Sequence, residues 1–581
     1  MKTKLLLLLL TLFIANSYSQ EQCGTMKNLE EQLKKDPALK ERMLQIEKQN
    51  QEWIEKNGLG FKKHTEAELN KNSNNISKST LSINALCGYN NTYFTTITAP
   101  TTLNTIISPS PNCTWGGEYV RVNSLTAGRT YRISTIGLNN FDTQITIYPA
   151  GGGNAVAYND DWQTSPQSEI YFTPIFSGNY DVLINQYSCV SNQLCASLQV
   201  ELFYIPRAVI TIPVVVHVIH NGEAIGTGTN ISDAQIQSQI VVLNEDFRRL
   251  NQDILTTPAA FRGASADPLI QFCLAQQKPD GTPTNGIMRR LAPTQAEYSQ
   301  LEVPIGFQCL NTDTMEDVIK PSSIWNRDKY LNIWVSDLRQ LPPPNGLGCS
   351  SPSGLLGYAQ FPGGAANTDG VVMKYTAFGR VGNVVAPYNL GRTATHEVGH
   401  WLNLKHIWGD ESACAADDLV SDTPLQGISS NGCQTFPFYD NCTTVYPGIM
   451  FMNYMDYSDD NCLSLFTYGQ FVRTESALFN QRPGLLTSQG CVPGTLSANQ
   501  FENTTVTIYP NPTSSKVFFD NSNYNFKEVV VYNYLGQEVA KNKFSGNLNN
   551  QEVDMSGLAI GVYVLKFSNG ETSQSVKIVK Q

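Results

Sequence analysis

Thr395-His396-Glu397-Val398-Gly399-His400-Trp401-Leu402-Asn403-Leu404-Lys405-His406 holds three of the six histidines of a 581-residue chain. A helix turns once in 3.6 residues, so His396 and His400 stand on one face, one turn apart. Both imidazoles can reach one metal ion from there. Glu397, beside the first, can lean over that ion without binding it, which suits a general base. A continuing helix would carry His406 away, so the chain must turn after His400. Asn403 lies in that stretch, and Asn is among the non-glycine residues most at ease in the left-handed region. Three histidines leave one tetrahedral position open, as a catalytic zinc site needs and a structural one does not. The bland alternative is a solvated helix with incidental histidines, and chance clustering at this spacing is rare.

Downstream runs Asn453-Tyr454-Met455-Asp456-Tyr457-Ser458-Asp459-Asp460. Alone it reads as a polar turn. Beside the histidines, Met455 resembles the Met-turn of metzincins, a soft apolar side chain beneath the ligands. The Tyr457 hydroxyl could reach the oxyanion of a tetrahedral intermediate. His217 and His220 lack an acid partner, and their spacing puts them on opposite strand faces, so they read as structural.

HEVGHWLNLKH, Cys414 with DDLVSDTP, and FMNYMDYSDDNCLSLFT together resemble the pappalysin family of metzincins over residues 210–491. The resemblance implies a secreted endopeptidase with one catalytic Zn2+ and structural Ca2+. It implies zinc ligands His396, His400 and His406, base Glu397, Met-turn Met455 and oxyanion aid Tyr457. It implies disulfides Cys414–Cys442 and Cys433–Cys462. Asp417, Asp418, Asp422 and Thr423 offer hard oxygens for calcium, or are plain surface acids. A preference for basic residues near the cut is implied through acids close to the Met-turn. Asp459 and Asp460 fit that, whereas Asn461 stands where a further acid is expected. From position alone, Asp369-Gly370-Val371-Val372-Met373 is the strand on which an extended substrate would pair.

Lys2 and Lys4, the apolar run Leu5–Ala15 and a polar close at Gln20 have the order of a secretory signal peptide, residues 1–19. The run is too short for a membrane anchor. Residues 20–84 read as a helical prosegment and linker: Leu29, Leu33, Leu39, Met43 and Ile46 recur at helical spacing over 24–57, and 70–84 is rich in Asn and Ser. Period-two stretches over 85–206 (Tyr131–Thr135, Gln144–Tyr148, Tyr180–Ile184) point to a β-sandwich. Its wording is similar to pre-peptidase domains; Asp160 and Asp161 read as turn acids or calcium ligands. Residues 207–492 read as the α/β catalytic domain, with Ile212–Val216 as a buried strand. After a linker over 493–504, residues 505–581 carry YPNPT, YNYLGQEV and LAIGVYVLKF. These resemble the C-terminal sorting domain of type IX secretion, an Ig-like sandwich read by the secretion machinery. The fold class is therefore multidomain, an α/β metzincin domain flanked by two β-sandwiches. The protein is expected to be secreted or at the cell surface, exported through the periplasm.

Thirteen cysteines suit an exported chain. Four lie in the sandwich region and eight in the catalytic region, so each set can pair internally, with the partners of Cys273, Cys309, Cys349 and Cys491 open. Cys23 is left over. Its thiolate could fill the open metal position and keep the enzyme latent until the prosegment is cut; a lipid-linked, partner-linked or idle cysteine is the alternative. A net charge of −10 argues against nucleic acid as a partner. A binding protein with a vestigial metal site is the competing class, and the retained Glu397 and Tyr457 speak against it. A non-peptidase zinc hydrolase is a minor third.

Overall fold

The computed structural model describes residues 23–61, 87–292, 315–338, 355–494 and 506–581, apart from 91, 140, 161–164, 187, 188, 190, 191, 411–413, 415, 416, 522–524, 545–550 and 570–572. The signal-peptide and linker readings, Asp161, Cys309 and Cys349 fall outside these residues.

The amphipathic segment expected as one helix over 24–57 is two: α1 (Thr25–Lys35) and α2 (Ala38–Lys56). Pro37 separates them. It has no N–H to give and pushes Asp36 out of the helical region, to φ −138° and ψ 86°. α1 buries Thr25 and Asn28, and α2 buries Leu39 and Asn50.

Residues 93–204 form a two-stranded sheet, which pairs Thr114–Gly116 with Asn192–Ala196, and two facing sheets. One is ordered Tyr93–Thr98, Glu118–Leu125, Gly178–Gln186, Thr143–Pro149, Ala157–Asn159; the other Ile106–Ile107, Gln199–Tyr204, Thr130–Ser134, Glu169–Phe172. Alternate residues point inward, so Val120, Val122, Ile145 and Val182 meet Tyr131, Ile133, Val200 and Leu202 in one core. Cys87–Cys189 and Cys113–Cys195 staple it.

The next region is built on β1 (Ile210–His220), whose apolar run is buried on both faces, as a central parallel strand requires. It pairs in parallel with β2 (Ile270–Leu274), β3 (Ile287–Leu291) and β4 (Leu331–Ser336). Beyond β4 come β5 (Gly357–Ala359) at the edge and β6 (Val371–Lys374) between them. β6 runs parallel to β4 and β5 antiparallel to β6. The stretch Asp369–Met373, expected to offer a free edge to substrate, is therefore interior. The edge belongs to β5, a three-residue strand too short for a sequence pattern. His217 is buried in β1, 3.0 Å from Asn332 and stacked on Trp334.

Helices α3 (Asp233–Phe247), α4 (Arg392–Trp401) and α5 (Tyr468–Asn480) complete the region. Ser232 caps α3, and Thr467 with Gln470 forms a capping box on α5. Their apolar faces and the sheet enclose Val214, Val216, Ile333, Leu243, Val398, Met455 and Phe466. Cys273–Cys491 ties the end of the region to β2.

The contacts of the chain divide it at Gly494. In the tail, one sheet pairs Ile508–Tyr509, Lys516–Phe519 and Gln551–Asp554. The other pairs Glu538–Lys543, Glu528–Asn533, Gly561–Ser568 and Ser573–Lys580. Val517, Phe519, Val529, Leu565 and Phe567 form their common core. No helix among the described residues is long and apolar enough to cross a membrane.

Candidate active site

α4 begins at Gly391, whose φ of 83° lets the chain turn sharply into the helix. Asp460 accepts the backbone N–H groups of Leu390 (2.7 Å) and Arg392 (3.3 Å), placing a carboxylate at the positive end of the helix. The helix stops after Trp401. Asn403 has φ 72°, its N–H reaches the His400 carbonyl at 2.9 Å, and the Leu404 N–H reaches the Gly399 carbonyl at 2.9 Å. That left-handed residue reverses the chain and brings His406 back over His400.

The three Nε2 atoms form a triangle with sides of 3.2, 3.1 and 3.0 Å. Each Nδ1 is committed elsewhere. His396 donates to the Tyr454 carbonyl (2.7 Å), His400 to the Leu404 carbonyl (2.8 Å), and His406 to the Asp410 carboxylate. The Nδ1 protons thus leave three Nε2 lone pairs aimed at one point. Burial holds His396 down to about 3 and His400 well below its ordinary value, so both are neutral donors. Converging lone pairs repel unless a cation sits among them. Zn–N bonds of about 2.0–2.1 Å in a tetrahedron space nitrogens by about 3.4 Å, close to this triangle. The donor set fits zinc.

Glu397 is fully buried, and burial pushes it up to about 8; hydrogen bonds from Thr25 and Cys23 act in the opposite direction. Its Oε1 is buried and has no hydrogen-bond partner among the described residues. Met455 is buried beneath the helix, its Sδ 2.5 Å from where a Cβ on Gly399 would lie, so only glycine lets the two approach. The Tyr457 ring packs on His406 and Trp408, and its hydroxyl is 3.5 Å from the Cys23 carbonyl. Tyr388, Glu397, Tyr457 and Asp460 line one cleft with Leu356 and Cys23. Burial pushes Asp460 up to about 6.

Cys23 is buried, unbonded to another cysteine, and its Sγ lies with the three imidazole nitrogens, all within 4.8 Å of one another. Burial first, then the Glu397 charge, pushes its thiol up, a direction that a bound cation reverses. The residues after it run along β5. The Gly24 N–H donates to the Gly357 carbonyl (2.9 Å), and the Ala359 N–H donates to Thr25 Oγ1 (2.9 Å).

Cys414–Cys442 and Cys433–Cys462 are bonded, linking the loop after His406 to itself and to the Met455 turn. The four loop residues do not converge on one point. Asp422 accepts from Thr467 Oγ1 (2.7 Å) and the Gly469 N–H (3.0 Å) at the start of α5, whereas Asp418 accepts from Thr423 and the Val420 N–H.

Several residues of the site give no sequence signal. Asp410, four residues after His406, is an ordinary loop acid until the fold aims it at Nδ1. Three buried arginines hold the histidine segment. Arg392 pairs with Asp246 and Asp253, and Arg482 donates to the Trp401 carbonyl and pairs with Asp369. Arg473 donates to the Asn403 carbonyl.

Comparisons with known proteins address the family rather than the geometry. The family model described as pregnancy-associated plasma protein-A matches residues 313–479, and that of the secretion system C-terminal sorting domain matches 507–581. An extracellular metalloprotease of Pyricularia oryzae is 32% identical over 285 residues, 48% of this chain and 78% of that protein. One from Verticillium alfalfae is 30% identical over 278 residues, 46% of this chain and 76% of its own. Among solved structures, mature mirolysin of Tannerella forsythia in complex with a cleaved peptide is 44% identical, covering 48% of this chain and 97% of its own, with a TM-score of 0.42. This chain belongs to the pregnancy-associated plasma protein-A, or pappalysin, family and is a secreted metalloendopeptidase carrying a type IX sorting domain.

Proposed function

We propose that the chain is a zinc endopeptidase made as a latent precursor, with His396, His400 and His406 as ligands and Glu397 as base. The observation that carries it is the triangle of Nε2 atoms whose Nδ1 protons are all committed. Zinc held there supplies a Lewis acid for the scissile carbonyl and makes water a nucleophile near neutral pH. The protein supplies the rest. A substrate strand pairs with the backbone of β5. Glu397 takes a proton from the attacking water and returns it to the leaving amine. The Tyr457 hydroxyl donates to the developing oxyanion, and Met455 supports the floor of the ligand set. Asp460 at the cleft wall favours a basic substrate side chain.

Latency is supported by what residues 23–25 occupy. Cys23 Sγ stands where a fourth ligand would, Thr25 holds Glu397 Oε2 at 2.9 Å, and both residues cover β5. We assign residues 20–84 as the prosegment and linker, 85–206 as a pre-peptidase-type module, 207–492 as the catalytic domain and 505–581 as the sorting domain. The resemblance also implies structural calcium. Asp417 lies close enough to add to the burial that pushes the Asp418 carboxyl well up, and a divalent cation would relieve that pair.

Cleavage of a peptide library by the activated protein, with and without a zinc chelator, tests the function. Chelator-sensitive internal cuts beside Arg or Lys are expected. Cuts that persist without metal refute the mechanism, and cuts indifferent to basic residues refute the role of Asp460.

A further inference from the structure

Each of the three arginines around the histidine segment is balanced by a carboxylate. For Arg392 and Arg482 that carboxylate comes from the catalytic region itself, from Asp246, Asp253 and Asp369. For Arg473 it comes from the prosegment. Glu47 of α2 accepts two N–H groups from Arg473, at 2.9 and 3.1 Å, in a bidentate pair. The Arg473 side chain is 2% exposed and that of Glu47 27%.

The guanidinium also donates to the Asn403 carbonyl through Nε at 3.3 Å and Nη2 at 3.1 Å. Asn403 is the left-handed residue that turns the chain from His400 to His406. The next carbonyl, that of Leu404, accepts the His400 Nδ1 proton at 2.8 Å. A tilt of the Asn403 peptide therefore moves the group that orients His400 and the path that delivers His406. The Glu47 contact belongs to a matched series between two helices. Glu47 meets Arg473, Asn50 accepts from Ser476 Oγ at 2.8 Å, and Trp53 stacks on Phe479 at 5.6 Å. The steps of three residues run in the same sense along α2 and α5, so the seat is specific in register.

We propose that Arg473 is a positioning residue for the metal-binding turn and that Glu47 completes it only while the prosegment is attached. The prosegment then does more than cover the metal: it stiffens the ligand set, and the precursor keeps its zinc longer than the mature enzyme does. This rests on the zinc and prosegment assignments above.

The test is the rate at which a chelator strips zinc from the full-length precursor carrying Cys23→Ser, which removes the thiolate as a competing ligand. Adding Glu47→Gln should speed zinc loss about ten-fold, in the range for groups that orient metal ligands. Lys35→Met, which breaks the exposed pair with Asp317 on the same prosegment, should leave the rate unchanged. Arg473→Lys should speed loss from the mature enzyme, because an ammonium cannot place a planar fork on one carbonyl. Equal rates with and without Glu47→Gln overturn the proposal. So does an equal effect of Lys35→Met, or a matching fall in melting temperature of the zinc-free precursor, since either marks a merely loosened prosegment. A parent protein that binds no zinc overturns the zinc assignment itself, a result distinct from zinc bound and indifferent to Glu47.

Discussion

Thr25 Oγ1 donates to Glu397 Oε2 at 2.9 Å, joining the first residue of α1 to the acid at the centre of the site across 372 positions of sequence. The same oxygen accepts the Ala359 N–H of β5. One buried hydroxyl thus holds Glu397 and occupies the edge of β5, and Cys23, two residues before it, lies among the histidines.

Replacing Thr25 by Val keeps the shape and removes the hydroxyl. It leaves Glu397 Oε2 and the Ala359 N–H without this partner, a cost of about 1–3 kcal/mol borne by the docked prosegment alone. Precursor activation, followed as the appearance of peptidase activity, should be about ten-fold faster or more. Cys23→Ala should act in the same direction, because the two residues block different groups. Activation at the parental rate in both variants would remove the latency reading.

Gly399→Ala tests the floor of the site. A Cβ there would lie 2.5 Å from Met455 Sδ, so helix and Met-turn must separate. Overpacking of this kind costs about 1–3 kcal/mol, and zinc content should fall with the melting temperature. Trimming the partner, as Gly399→Ala with Met455→Val, should recover part of both. A single variant with normal zinc content and stability would show that the close approach carries no weight.

The segment around His396 was the most legible part of the chain, because helical spacing and the need for a turn between His400 and His406 follow from local geometry. The long strand β1 was also readable, since an apolar run buried on both faces has a composition of its own. What sequence did not reveal depends on contacts between distant residues or on very short elements. The edge strand β5 is three residues long, so the longer Val371–Met373 run drew the assignment. The break at Pro37 lay inside a hydrophobic repeat that continued across it. Asp410, Asp246 and Arg473 have no local pattern; each acquires its role only when the fold brings Asp410 to His406, Asp246 to Arg392 and Thr395, and Arg473 to the Asn403 carbonyl.

Asp410→Asn removes the carboxylate on His406 Nδ1 while keeping the size of the side chain. Acids in this position orient the imidazole and raise its basicity, so zinc affinity should drop about 10–100-fold. Competition with a chromogenic chelator measures it. An unchanged affinity would mean that the His406–Asp410 contact is incidental.

The proposed selectivity for basic residues should depend on pH through Asp460. Burial pushes its carboxyl up to about 6. Above that pH the group is charged and attracts an Arg or Lys side chain; below it the group is neutral and the attraction is lost. The ratio of kcat/KM for a peptide with Arg beside the cut to that for its norleucine analogue should therefore fall as pH drops from 8 to 5. A constant ratio, or one that Asp460→Asn leaves untouched, would place the selectivity elsewhere.

Metal binding and proton transfer fall to different residues, and one variant tests both. In Glu397→Gln the three imidazoles and their partners are untouched while the base is gone. Zinc content and peptide cleavage should be measured on the same activated preparation. The account predicts one zinc per chain, as in the parent, with kcat/KM reduced by about 10²–10⁴-fold. Cleavage at the parental rate with zinc bound would contradict it.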